Sequence, residues 1–404
     1  MTAKKKHVRT NDLRGYGRIA IDATLGLTSL VETMHHNILR TPGVLGEATQ
    51  QPAGGLTGFV YKSIRGVTRM VGGGIDAVLS RLVPLFDEGG SSPQREAILG
   101  ALNGVLGDHL QESANPLAIP LQFRRDGHSL ELSRASVAAG IPDATARIVL
   151  LVHGLCMTDL AWRRHGHDHG AALARDGFTP VYLHYNSGRH VSHNGREFAA
   201  AIEALLRAWP VPPDEIVIVG HSMGGLVARS ACHYGAVEDH AWLRLLRSIV
   251  FLGTPHLGAP LERGGHWIDA LLDASPYTTA FARLGKIRSA GITDLRHGSL
   301  VDEDWSRDDG AARARPRRAS LPLPANVRCH AIAATLAKRV SKDPANLPGD
   351  GLVPVASALG LHDDPRRALH IPRERQWIGS AMNHLDLLDR PEVFARIRDW
   401  LRPQ

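Results

Sequence analysis

The feature that most constrains this sequence is a serine enclosed by glycines, placed between an apolar run and a helical pattern. Residues 217–219 are apolar and β-branched, and Gly220-His221-Ser222-Met223-Gly224 follows directly. This is the G-x-S-x-G pattern in its strand–turn–helix setting, the nucleophile elbow. The turn leaves no room for a Cβ at its glycines, and its strain lifts the serine hydroxyl out of the sheet. The pattern predicts that Ser222 is a nucleophile; the alternative is a glycine-rich turn that merely contains a serine.

Short apolar runs alternate with helical patterns on both sides of this stretch. The expected strands are at residues 148–152, 179–183, 215–220, 248–252, 327–332 and 368–371, and the helices between or after them are at 169–176, 195–209 and 391–401. Two alternating runs, 121–124 and 129–132, surround an Asp-Gly turn and indicate a hairpin. A hairpin that leads into parallel strands joined by helices favours an α/β fold, with a mostly parallel sheet covered by helices.

Differences in composition and in hydrophobic pattern divide the chain into three parts. Residues 1–11 are polar and basic, which predicts a disordered tail. Residues 12–115 carry about three amphipathic helical patterns, the third near 93–111. Their apolar stripes either pack within the protein or lie at a membrane surface. Residues 116–404 form the α/β domain, and the strand–helix alternation stops over 258–324, where we expect a helical cap or lid insertion.

Charge and cysteine content limit the cellular setting. The net charge is +7, and part of the excess lies in two runs, Lys4–Arg9 and Arg313–Arg318. Such runs are expected to be solvated tails and loops. No aromatic residues interleave with them, so nucleic acid is not an expected partner, and contact with an anionic membrane surface is the alternative that stays open. The three cysteines give no complete disulfide framework, and no signal peptide or apolar segment of about 18 residues is present. These features predict a cytoplasmic protein, with peripheral membrane association as the additional expectation.

A serine nucleophile needs a base and a group that orients the base. In the elbow architecture these partners follow the serine in the order acid, then histidine, on loops after later strands. His384 lies between the last expected strand and the final helix, and Asp350 lies in a glycine-flanked loop after the strand that ends near residue 333. The sequence therefore predicts Asp350 as the acid and His384 as the base. Asp363 and Asp364, in a later loop, are the alternative acids.

Two backbone amides are expected to form an oxyanion hole. Met223 follows the nucleophile and begins a helix, where the dipole favours negative charge. The second donor is expected in the loop after the first parallel strand, and His153-Gly154-Leu155 lies there. We therefore predict the Leu155 and Met223 amides as the donors.

Together these motifs resemble the bacterial lipase/esterase branch of the α/β-hydrolase superfamily, and the chain is also similar to GPI inositol-deacylase-like hydrolases. The motifs are, in chain order, His153-Gly154, Gly220–Gly225, Leu252–Gly258, Asp350–Val353 and Asn383–Asp386. The resemblance extends over residues 116–404. It implies the α/β-hydrolase fold and hydrolysis of carboxylic esters through an acyl-enzyme, with Ser222, Asp350 and His384 as the catalytic triad.

The resemblance implies no cofactor. In the calcium-dependent secreted lipases of this kind, the aspartate two residues after the histidine binds calcium, and Asp386 matches that position. Apart from this calcium candidate, no metal is expected. His165, His167 and His169 lack the spacing of a zinc site and are expected in capping or surface roles.

The expected reaction is hydrolysis of lipid-like or other apolar esters by a serine lipase or esterase. Two alternatives remain open from the sequence. The same triad could carry out acyl transfer or polyester depolymerisation. The chain could instead be a membrane-associated scaffold that keeps a degenerate hydrolase domain.

Overall fold

The computed structural model describes residues 93–259, 289–305, 321–340 and 347–402. The basic tail, the first two expected N-terminal helices and most of the expected cap lie outside these residues. One compact unit comprises Glu96–Glu112 and Ala118–Gln404. Residues 96–112 of the third expected helix are therefore part of the same unit as the sheet.

An eight-stranded sheet organises the described residues. The strands are β1 Gln122–Arg125, β2 His128–Ser129, β3 Arg147–Val152, β4 Thr179–His184, β5 Glu215–His221, β6 Leu246–Leu252, β7 Arg328–Thr335 and β8 Gln376–Ser380. Their order across the sheet is β2-β1-β4-β3-β5-β6-β7-β8. β1 is antiparallel to β2 and β4, and the remaining neighbours pair in parallel. The carboxyl ends of β3, β5, β6 and β7 therefore meet at one edge.

Helices connect and cover these strands. They are α1 Pro93–Glu112, α2 Arg134–Gly140, α3 His169–Ala174, α4 Val191–Ala208, α5 Met223–Val237, α6 Ala290–His297, α7 Val355–Ala358 and α8 Pro391–Leu401. The expected α/β architecture, a mostly parallel sheet with helical layers, is confirmed. Within the described ranges, every helix is too short or too polar to cross a bilayer.

Alternation along the strands explains the two helical layers. In β3, Ile148, Leu150 and Val152 belong to a core cluster that includes side chains of α4 and α5. Val149 and Leu151 point to the opposite face and pack in a second cluster with side chains of α3 and α8. Because successive side chains of a strand face opposite sides, a continuous apolar run is buried on both. Each such buried side chain contributes about 1.5–3 kcal/mol of hydrophobic stabilisation.

The prediction of a strand at residues 368–371 is wrong. The last strand is β8, which pairs with β7 in the register Ala331↔Gln376. His370 has a φ of 52°, a left-handed conformation that interrupts extended backbone. Ile371 is buried beside the β7 side chains Ala331 and Ala333. The apolar pattern of this segment therefore reflects packing of a loop and not strand pairing.

Buried histidines make the stability of this fold sensitive to acid. His330 in β7 is buried and stacks on Trp400 at 4.7 Å between ring centroids. Neither of its ring nitrogens hydrogen-bonds within the described chain. Burial, with a smaller contribution from Arg375 and Arg328, lowers the pKa of His330 from 6.5 to about 4. The unfolded chain therefore binds this proton more readily than the folded chain, and stability falls as pH decreases from 6.5 to about 4.

We expect His330→Leu to remove this part of the acid sensitivity. The shift of His330 corresponds to about 3 kcal/mol at the acid end of the window. The variant should match or exceed the wild-type Tm at pH 7.5, because two unpaired buried nitrogens are lost. Its Tm should fall less steeply than the wild-type Tm between pH 6.5 and 4, as measured by thermal unfolding. Equal slopes for the two proteins would contradict the expectation.

Candidate active site

Ser222 occupies a strained turn between β5 and α5. Its φ and ψ are 54° and −124°, and its N–H donates to the Leu252 carbonyl at 2.8 Å. A Cβ on Gly224 would lie 2.2 Å from the Val152 carbonyl oxygen, so only glycine fits this close approach. The elbow requires a residue other than glycine at a positive φ, and the surrounding structure must hold it there. The hydroxyl thus lies at the carboxyl edge of the parallel strands.

His384 and Asp350 form a buried pair. The Nδ1 atom of His384 lies 2.7 Å from Asp350 Oδ2, and the His384 N–H donates to the Asp350 carbonyl at 3.1 Å. The other carboxylate oxygen, Oδ1, accepts from the N–H groups of Leu352 and Val353 at 2.9 and 2.8 Å. The carboxylate is therefore fixed on both oxygens. Pairing with it requires the proton on Nδ1, which leaves Nε2 as an acceptor.

The Nε2 atom of His384 is buried and makes no hydrogen bond within the described residues. His221, inside the elbow, lies next to it. Their ring centroids are 4.6 Å apart, and His221 Nε2 lies 3.1 Å from the His384 carbonyl oxygen. Burial, and secondarily the charge of His384, lowers the pKa of His221 well below its ordinary value. A neutral His221 holds the His384 backbone without opposing protonation of the neighbouring ring.

The two amides expected to form an oxyanion hole belong to segments that contact each other. Met223 is the first residue of α5, so its N–H has no acceptor inside the helix. Leu155 lies in the loop after β3, and among the described residues its N–H donates to no acceptor. A Cβ built on Gly154 would lie 3.1 Å from Ser222 Cβ. The loop therefore lies directly against the elbow.

Residues after β4 support this loop, and the sequence reasoning missed them. Tyr185 stacks on the His153 ring at 4.3 Å, and its hydroxyl donates to the His153 carbonyl at 2.9 Å. The Ser187 hydroxyl accepts from the Cys156 N–H at 3.1 Å. Polar residues directly after a parallel strand are the signal that could have identified them, because sites form at the carboxyl ends of such strands.

His169 is a second support that the sequence did not reveal. It is buried in α3, and its Nε2 lies 3.0 Å from the Leu387 carbonyl oxygen in the turn that begins at His384. Burial lowers the pKa of His169 to about 4, so the ring is neutral and can act as a hydrogen-bond donor there. The capping role near this position belongs to Asp168, whose carboxylate accepts from the Ala171 N–H.

The alternative acids lie elsewhere. Asp364 forms an ion pair with Arg366 at 2.9 Å, and Asp363 is exposed. Asp386, the calcium candidate, accepts from the Asn383 N–H at 2.8 Å and closes a capping box on the turn that carries His384. The calcium site remains a prediction.

One cluster among the described residues has ligand types suited to a metal. Glu96, Asp159 and His184 are buried and place one ligand atom each within 4.8 Å of one another. The guanidinium of Arg124 lies 2.8 Å from Glu96 and 3.1 Å from Asp159. An arginine in contact with both carboxylates already supplies the positive charge that a metal ion would bring.

Gly253 is required beside His384, and we expect Gly253→Ala to reduce activity. Its φ is 58°, and an added Cβ would lie 3.0 Å from His384 Cε1 and 2.7 Å from Leu387 Cδ1. A displacement of the base approaching 1 Å costs about 100-fold in rate. We therefore expect kcat to fall about 10- to 100-fold with little change in KM, as measured by steady-state ester hydrolysis. Unchanged kcat in a folded variant would contradict the proposed position of His384.

One protein-family model is similar to the central part of the chain. The PGAP1-like alpha/beta domain family matches residues 143–319. This range is less than half of the chain; it includes the loop after β3 and the elbow and ends before Asp350 and His384. Curated proteins yield no match to the sequence.

Solved structures show distant likeness. A mature lipase from Bacillus licheniformis aligns with a TM-score of 0.40 and 16% identity, over 64% of this chain and 92% of that chain. An esterase from Pyrococcus furiosus aligns with a TM-score of 0.38 and 15% identity, over 64% and 82%. An esterase of the bacterial hormone-sensitive lipase family aligns with a TM-score of 0.38 and 17% identity, over 78% and 98%. Likenesses this distant say nothing about the reaction of this chain.

The family match coincides with the centre of the described sheet. Residues 143–319 begin just before β3 and include β4, β5, β6 and the elbow helix α5. A mostly parallel sheet with a strained serine between its central strand and a helix is the arrangement of the α/β-hydrolase fold. The fold that the sequence motifs implied is therefore confirmed for the described residues, and residues 143–319 match the PGAP1-like alpha/beta domain family model.

Proposed function

We propose that the chain is a serine hydrolase that cleaves carboxylic esters of lipid-like or apolar substrates through an acyl-enzyme. One observation carries the proposal: the buried His384–Asp350 pair leaves Nε2 of the histidine unbonded among the described residues, next to the elbow that carries Ser222. A base that is oriented by a carboxylate and adjacent to a serine held in a strained turn is the arrangement that activates a hydroxyl nucleophile. The apolar nature of the ester is proposed from the resemblance of the sequence motifs to lipases and esterases.

Each proposed step uses a group in this arrangement. Ser222 Oγ attacks the ester carbonyl carbon while His384 Nε2 takes its proton, and Asp350 stabilises the imidazolium. The Leu155 and Met223 amides stabilise the oxyanion of the tetrahedral intermediate. His384 then protonates the departing alcohol oxygen, and the acyl group remains on Ser222. In deacylation His384 takes a proton from water, which attacks the acyl carbonyl. The proton then returns from His384 to Ser222 Oγ as the acid leaves, and the free enzyme is regenerated.

A fluorophosphonate probe and a series of p-nitrophenyl esters test this proposal together. We expect the probe to label one residue, Ser222, as located by mass spectrometry of the digested protein. We also expect ester hydrolysis, with a preference for longer acyl chains in emulsions if the substrate is a lipid. Absence of both labelling and hydrolysis, or labelling at another residue, would reject the proposal. Parallel assays with EDTA and with added calcium test the calcium prediction at Asp386.

A further inference from the structure

Helix α1 lies unusually close to the loop that carries the Leu155 amide. A Cβ on Gly104 would lie 2.7 Å from the Cα and 2.8 Å from the backbone nitrogen of Cys156. One turn earlier, a Cβ on Gly100 would lie 3.0 Å from the carbonyl carbon and oxygen of Met157. Residues four apart share one face of a helix, so these glycines form a flat face in backbone contact with the loop. The helix thus forms one wall of the loop, and Gly154 packs against the elbow on the other side.

A buried charge network connects the same helix to the same loop. Arg124 in β1 contacts Glu96 in α1 at 2.8 Å and Asp159 at 3.1 Å. Asp159 begins the 3₁₀ turn that ends the loop, and its carboxylate lies 2.8 Å from His184 Nδ1 at the end of β4. The side chains of Glu96, Asp159 and His184 are each at most 3% exposed. Four separate elements therefore meet in one buried polar cluster, in which Arg124 contacts two carboxylates.

Arg124 gives the two buried carboxylates of the network a shared positive partner. Burial alone would raise the pKa of Asp159, but the contact with His184 and the charge of Arg124 outweigh it and lower that pKa. The carboxylate is thus charged and bound to Arg124. A network of this kind has few alternative geometries, because shifting one member leaves a buried charge unpaired.

The network also lies close to the start of the loop. The ring centroid of His184 is 6.4 Å from that of His153, and Asp159 lies four residues after Leu155. The loop is thus held at both ends, with the Leu155 amide between them. Efficient oxyanion stabilisation needs donors that are already in place before the charge develops.

We propose that residues 96–112 of α1 position the oxyanion loop, with Glu96 and Gly100 as positioning residues that act through Asp159 and Met157 on the Leu155 amide. The inference rests on the proposed function, since it concerns the stabilisation of an oxyanion formed on Ser222. It assigns part of the expected N-terminal helical region a role in the reaction.

The test uses Glu96→Gln and Gly100→Ala in the full chain. Glu96→Gln keeps the size of the side chain and leaves Arg124 paired with Asp159. Gly100→Ala displaces the loop by a few tenths of an ångström. For each variant we expect kcat to fall about tenfold with KM within about twofold, because only interactions made in the transition state are weakened. The inhibition constant of an apolar trifluoromethyl ketone, whose serine adduct carries an oxyanion, should rise by the same factor as kcat/KM falls.

Two matched controls separate positioning from loss of stability. Glu215 pairs with Arg147 at 2.7 Å at the opposite ends of the strands, so Glu215→Gln weakens a partly buried Glu–Arg pair far from the loop. Gly235 lies in α5, where an added Cβ would approach the Trp242 ring at 3.0 Å, as tightly as at Gly100. Both controls should keep kcat and the ketone inhibition constant within about twofold. Thermal unfolding of all four variants checks that each test variant and its control are equally folded.

Several outcomes would overturn the inference. Unchanged kcat in both Glu96→Gln and Gly100→Ala would do so, as would equal losses in the variants and their controls. If the purified protein contains a stoichiometric metal that Glu96→Gln removes, then Glu96, Asp159 and His184 form a metal site and the inference fails. If Ser222→Ala retains hydrolysis, the proposed function fails instead; if that variant is inactive while the α1 variants are fully active, only this inference fails.

Discussion

Ser222→Ala is expected to reduce kcat for ester hydrolysis by about 10⁶-fold, to the level that the oxyanion donors and substrate binding alone provide. The substitution removes the only atom that forms the acyl bond in the proposed mechanism. It keeps the backbone geometry that β5 and α5 impose, so Tm should change by less than about 2 °C. Steady-state hydrolysis of a p-nitrophenyl ester and thermal unfolding measure the two quantities.

A serine in α5, the helix that follows the elbow, provides the matched control. The Ser230 hydroxyl is buried and donates to the Leu300 carbonyl at 2.7 Å. Ser230→Ala should therefore lose about 1–2 kcal/mol of stability and keep kcat within a few-fold, the opposite of the pattern at Ser222. Hydrolysis that continues at the wild-type rate in Ser222→Ala would reject the assignment of the nucleophile.

Asp350→Asn is expected to lower kcat by about 10⁴-fold at neutral pH. The reason lies in the contacts of the carboxylate. One oxygen accepts from the N–H groups of Leu352 and Val353, so an asparagine must keep its carbonyl oxygen there. Its NH₂ group then faces His384 Nδ1, which must accept, and the ring proton moves to Nε2. In this tautomer the base cannot take a proton from Ser222.

The control for this variant is the alternative acid. Asp364 pairs with Arg366 at the surface, so Asp364→Asn should leave kcat and KM within about twofold of wild type. KM of Asp350→Asn should also change little, since the carboxylate acts only through the base. If Asp364→Asn loses activity while Asp350→Asn keeps wild-type activity, the acid lies in the later loop and the assignment of Asp350 is rejected.

The candidate catalytic positions could be predicted from the sequence because their signals are local or follow a required order. The strained turn at Ser222 requires small neighbours whatever the rest of the chain does, so the elbow is visible in five residues. Asp350 and His384 follow it in the order that the elbow architecture requires, and the structure brings these two residues, 34 positions apart, within hydrogen-bond distance. Most strands were recognisable because a run buried on both faces is continuously apolar.

Other features depended on contacts between distant segments. Residues 368–371 have the composition of a strand, but a left-handed residue and packing against β7 exclude pairing, and Gln376–Ser380 forms β8 instead. In α1 the apolar stripe is the signal that the sequence shows. The contact with the loop at Cys156 and Met157 is made instead by two glycines four residues apart. No local propensity distinguishes a glycine that permits such a contact from one that weakens a helix.

The sequence alone predicted the candidate site at the sheet edge: the serine in a strained turn, the histidine and aspartate that follow it, and the fold that carries them. Only the tertiary structure decided what holds these groups in place. The supports at Tyr185, His169 and Gly253, and the network from Glu96 to His184, join residues that are far apart in the chain. Such pairings depend on how helices and strands pack, because desolvated polar groups and close backbone contacts acquire partners only when the core is assembled.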